Sequence, residues 1–116
     1  MRQGQAVWDP GRDAPEIAGE VIAAWHKDGR FFVQFSKVPF PVVEAQAEPG
    51  RWQLRLPAQN RRHAGSGSPP ERVIWFQLAR QGRGEPLAPG YSWSEPSPGA
   101  WKLAHEGGES VQGFWR

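Results

Sequence analysis

Side chains that bind protons, metals or electrophiles are few in this chain, and none are usefully arranged. The three histidines, His26, His63 and His105, each stand alone in their segment, and no pair has metal-ligand spacing. Cysteine is absent. Its absence excludes thiolate catalysis, disulfides, cysteine-based zinc sites and a lipidated cysteine within these residues. "GSGSPP" (Gly65–Pro70) places a GxG before a helical stretch. It lacks the third glycine of a dinucleotide fingerprint and the Lys-Ser/Thr ending of a phosphate loop. No GxSxG nucleophile elbow occurs. Carboxylates fall mostly in turns and on outward strand positions. No enzymatic activity, metal or cofactor is therefore expected. What remains is recognition by apolar surface, for which seven Trp and six Phe in 116 residues supply material.

Those residues come in rows. In "RFFVQFS" (Arg30–Ser36), Phe31, Val33 and Phe35 share one face. In "RWQLRLP", Trp52, Leu54 and Leu56 alternate strictly with Arg51, Gln53 and Arg55, the pattern of a strand with one buried and one wet face. Such rows either line an apolar cavity or form an ordinary core face. "SGSPPERVIWFQLARQGRG" (Ser66–Gly84) is the one stretch that reads as a helix, over about 69–81. Ile74, Trp75, Leu78 and Ala79 share its apolar face. Ser68 and Glu71 fit a capping box, with Pro69 in the first helical position. The helix plugs a core, covers a ligand cavity or docks a partner. Trp93, Trp101 and Trp115 crowd the C-terminal strands, where exposed rings would stack on sugars or single-stranded nucleic acid. Trp101 shares a face with Leu103, which favours burial.

The elements that position these groups are strands. "QAVW" (Gln5–Trp8), "GEVIAAWH" (Gly19–His26) and "VVEAQAE" (Val42–Glu48) read as strands, and the Asp28-Gly29 pair marks a tight hairpin. "KVPFPV" interrupts because two prolines do not sit in a central strand. "AQNRRHAGSG" is polar and reads as a short hairpin or loop. A two- or three-residue strand at Tyr91–Trp93 and a final hairpin ("AWKLAHE", "ESVQGFWR") follow. The total is six to eight strands and one helix, without repeats or βαβ alternation. Gly 14 and Pro 12 agree with many turns. Net charge is +2, too small to mark a polyanion binder, although residues 61–83 hold five arginines against Glu71 alone.

Residues Gly19–Gly84, from "GEVIAAWHKDGRFFVQFSKVPFPVVEAQAEPGRWQLRLPAQNRRHAG" into the helix, resemble the outer-membrane lipoprotein receptor (LolB) family. The likeness lies in the order of a Gly-Glu strand, an aromatic return strand, a proline-bearing apolar loop, a Pro-Gly turn, a further strand and then helix. It implies an incomplete antiparallel barrel whose concave face holds lipoprotein acyl chains beneath a helical lid. "VPFP" (Val38–Pro41) matches the family's protruding apolar loop, so Val38 and above all Phe40 would contact the membrane or a partner. This chain lacks the family's N-terminal helix, its second full lid helix and its anchoring cysteine.

The expected fold is mainly β, one domain over 1–116, an antiparallel half-barrel with a helix across its concave face. The expected function, following the resemblance, is non-catalytic binding of a lipoprotein acyl chain or another lipid at the bacterial cell envelope. Phe31, Val33, Phe35, Trp52, Leu54, Leu56, Ile74, Trp75 and Leu78 would line the site, with Arg61, Arg62 and Arg72 at a head-group rim. A monomer that binds no nucleic acid is expected, periplasmic or outer-membrane-associated if an export signal is missing from these residues. The alternative is a small β module that binds carbohydrate or single-stranded nucleic acid through exposed Trp and the Arg61–Arg62–His63 patch.

Overall fold

Alternation with period two dominates the chain, and strands follow from it. The computed structural model describes residues 1–116 and contains nine: β1 (Arg2–Asp9), β2 (Ile17–Trp25), β3 (Phe31–Lys37), β4 (Phe40–Glu48), β5 (Arg51–Leu56), β6 (Arg61–Ser66), β7 (Tyr91–Ser97), β8 (Ala100–His105) and β9 (Ser110–Trp115). All pairs are antiparallel, in one open sheet of order β6-β5-β4-β3-β2-β1-β9-β8-β7. The fold is mainly β, as the alternation predicts, and the barrel is not closed. A single helix, α1 (Ile74–Gly82), lies in the connection from β6 to β7, the two edge strands.

Register places the apolar rows on one face, here called inward. Ala23, Val33, Ala45 and Leu54 stand opposite one another across four strands, and so do Trp25, Phe31, Ala47 and Trp52. On the other side of β1, Trp8, Val111, Leu103 and Trp93 continue the face. A one-residue slip would turn every one of these side chains into water, so burial itself fixes the register. Gly113 sits where β9 comes close to β1. A side chain there would overlap the backbone oxygen of Gln5 and press on the Trp101 ring, so only glycine lets β9 approach β1 this closely.

The helix starts five residues later than the sequence suggests. Val73 is its N-cap and no side chain caps it; Ser68 is exposed and Pro69 lies outside the helix. Burial decides the start instead: Ile74 to Ala79 are six consecutive buried residues, so the helix is enclosed all round rather than along one stripe. Trp75 stacks on Phe35 (5.1 Å) and meets Trp8 edge-on (5.5 Å). Phe76 meets Phe31 (5.8 Å) and Trp52 (6.0 Å) edge-on. Gln77 is the one buried polar side chain. Its amide donates to the Glu71 carbonyl (2.9 Å) and accepts from the Ala88 backbone N–H (3.0 Å), tying both flanking loops to the helix. At the far end the Trp25 indole donates to the Ala79 carbonyl (3.0 Å), which also accepts the Arg83 backbone N–H (3.2 Å). Gly82 makes room for that ring, since a Cβ there would overlap it.

Two strands differ from the sequence reading for one reason. β6 ("RRHAGS") is polar on both faces, and β7 carries Pro96. Both are edge strands, where polar residues and proline are tolerated because one row of backbone groups faces solvent. β4 is an interior strand and still includes Pro41, against the expectation for "KVPFPV"; the proline is accommodated at the strand start, beside a register shift at Phe35/Ser36.

Candidate functional site

The inward rows belong to the core. Phe31, Val33, Phe35, Leu54, Ile74, Trp75 and Leu78 are buried, and Trp52 and Leu56 pack half-buried against them. Ring–ring contacts join α1 to the sheet, so α1, which supplies Ile74, Trp75 and Leu78, packs as a plug against the other six.

Phe31 and Trp52 also border an open cleft of about 550 Å³ with Ala47, Arg51 and Arg62, while a larger apolar opening lies on the opposite, outward face. Val7, Ala18, Val38, Pro96, Ala100 and Phe114 line a groove of about 880 Å³ across β7, β8, β9, β1 and β2. Pairing explains how residues distant in sequence meet. Ala100 stands opposite Phe114, Phe114 opposite Gln5, and Gln5 opposite Glu20, while Lys102, Gln112, Val7 and Ala18 form the next row. Phe114 is 59% exposed and Val38 62%, high values for side chains that water does not solvate well. Phe40, two residues past Val38 on the same hairpin tip, is 72% exposed. Val38 thus belongs to the groove, while Phe40 stands exposed on the same hairpin tip. Lys102 and Gln112 add polar side chains to the groove, and Lys102 has no carboxylate partner.

The arginines of the expected rim are not brought together there. Arg61 and Arg62 lie on β6, at the sheet edge farthest from β7, and point to opposite faces. Arg62 donates twice to the Gln53 side-chain oxygen (3.1 and 2.8 Å), while Arg72 is exposed in the turn before α1. The same strand order separates the Arg61–Arg62–His63 patch from Trp93, Trp101 and Trp115, so arginines and tryptophans do not form a shared surface. The histidines also stay apart: His26 pairs with Asp28 in a turn, His63 is on β6, and His105 packs on Tyr91 (4.6 Å). No three acidic, histidine or cysteine side chains converge as a metal site.

One titratable cluster is partly buried. Glu109 accepts the Trp8 indole N–H (2.9 Å). Burial pushes its carboxyl above the usual range, opposed by the Trp8 bond and by nearby His105. Burial and the Glu109 charge push the Tyr91 phenol up as well. The indole N–H groups of Trp75 and Trp101 are buried without acceptors, a cost the surrounding aromatic packing must outweigh.

Sequence reasoning missed Val7, Ala18, Pro96, Ala100 and Phe114. A signal was present for one of them. Phe114 and Trp115 are adjacent in a strand, so one ring must face outward. The others become a site only through five-strand pairing. No helix is long and apolar enough to cross a membrane. No family model and no curated protein matches this chain.

Proposed function

We propose that this protein is a non-catalytic binder of acyl chains, carried on a lipid or a lipoprotein at the bacterial cell envelope, and that the chains lie in the outward groove. The observation that carries the reading is that Val38, on the hairpin tip that also exposes Phe40, lines that groove. Its volume is within the range of small-molecule sites. Each methylene taken from water adds about 0.8 kcal/mol, so a chain only partly inserted is held. Phe40 enters the membrane interface while Val38 remains at the groove, and the chain passes between the two. Lys102 meets the anionic end of a free fatty acid, a contact that salt weakens. The protein acts as a monomer.

The test is a titration with a dansylated fatty acid. Saturable binding is expected, weakened about tenfold or more by Phe114→Asp. Phe40→Asp should reduce association with anionic vesicles while leaving binding of the free acid intact. Absence of saturable binding up to about 1 mM would reject the reading.

A further inference from the structure

Three tryptophans surround another cleft. Trp25, Trp93 and Trp115, with Leu78, Gln81 and Gly82 of α1 and the side chains of Arg2 and Glu95, line about 430 Å³ between the helix end and strands β7 and β9. Ring stacking braces the walls. Trp101 is buried between its neighbours, stacked on Trp93 at 5.5 Å and on Trp115 at 5.0 Å. The Arg2 guanidinium lies over the Trp115 ring at 5.6 Å, and the Trp93 indole donates to Glu95 at 3.1 Å. The Trp25 N–H is committed to the helix end and its ring packs on Gly82, so only the rest of the ring borders the cleft.

We propose that this cleft binds a neutral saccharide of one or two rings. Arg2 and Glu95 form no ion pair with each other or with any other residue, and they offset in charge, so the cleft favours neither an anion nor a cation. Arg2 offers only donors, Glu95 only acceptors and Gln81 both. A sugar matches that set, because each hydroxyl donates and accepts. Its axial C–H face packs on the side of the Trp93 ring that Trp101 does not cover, the Trp115 ring being taken by Trp101 and Arg2. Preorganised walls lower the ordering cost of binding. This site lies on the inward side at the helix end, separate from the outward groove, so it stands whether or not that groove holds acyl chains.

The experiment is calorimetry and tryptophan fluorescence on the whole chain with cellobiose, maltose and N,N′-diacetylchitobiose, and with adenosine as a flat aromatic comparison. At least one disaccharide should saturate with a Kd near about 1 mM and shift the emission. Glu95→Gln, a nearly isosteric change at an exposed position, should weaken it about tenfold without moving the denaturation midpoint or dansyl-fatty-acid binding. Trp93→Ala should abolish it. No response to any of the three sugars at about 10 mM, saturation by adenosine alone, or equal sugar affinity in Glu95→Gln would overturn the proposal.

Discussion

The two faces of one sheet put their apolar residues to opposite uses. Inward, Phe35 and Trp75 stack and every residue from Ile74 to Ala79 is buried. Outward, Phe114 and Val38 stay more than half exposed beside a groove. Period-two alternation supplies both faces, but only the inward one has a helix to close it. A chain of this size needs most of its large apolar groups for its core. Apolar residues that the core leaves in water are therefore the better guide to recognition.

Stability should separate the faces most sharply. Trp75→Ala should cost about 3–5 kcal/mol in urea unfolding, through lost burial and a cavity at the Phe35 and Trp8 rings. Phe114→Ala should stay within about 0.5 kcal/mol, as for an exposed position. Equal effects would erase the distinction. Next in size is Gln77→Ala, expected to cost about 1–3 kcal/mol, because it strips partners from the Glu71 carbonyl and the buried Ala88 N–H. A smaller effect would mean that the loops do not depend on the helix for their hydrogen bonds.

Glu109 probes the boundary of the core electrostatically. Its folded carboxyl is pushed up by burial, so its contribution is complete below the ordinary glutamate value of about 4.3 and is lost as pH rises through the folded value. Glu109→Gln keeps an oxygen for the Trp8 N–H and removes the titration. The variant should therefore lose less stability than the parent between about pH 4 and pH 7, read as urea midpoints. A parallel decline in both would place the pH dependence elsewhere. The smallest effect is expected of Ser68→Ala, within about 0.5 kcal/mol by thermal unfolding, since no cap bond forms there. A loss of about 0.5–2 kcal/mol would restore Ser68 as a helix cap.

The core was legible because local pattern and burial agree. "RWQLRL" alternates strictly, and Asp28-Gly29 closes its hairpin at the expected place. The helix start was not, because Ser68-Pro69-Pro70-Glu71 carries every local signal of a capped terminus while the buried run begins only at Ile74. β6 was hidden by polarity on both faces, and the length of β7 by Pro96, two features that an edge position permits. The groove was least legible of all. Val7, Ala18, Ala100 and Phe114 come from four strands, and β1 meets β9 across a gap of about a hundred residues in sequence, a pairing that no local pattern announces.

The division of labour between faces is tested most directly by paramagnetic relaxation enhancement with a spin-labelled fatty acid on isotope-labelled protein. Signals of Val7, Ala18, Val38 and Phe114 should broaden saturably, while those of Val33, Phe35 and Leu78 stay sharp. Broadening centred on Val33, Phe35 and Leu78 would mean that the chain enters beneath the helix, making it a lid, and would contradict the outward site.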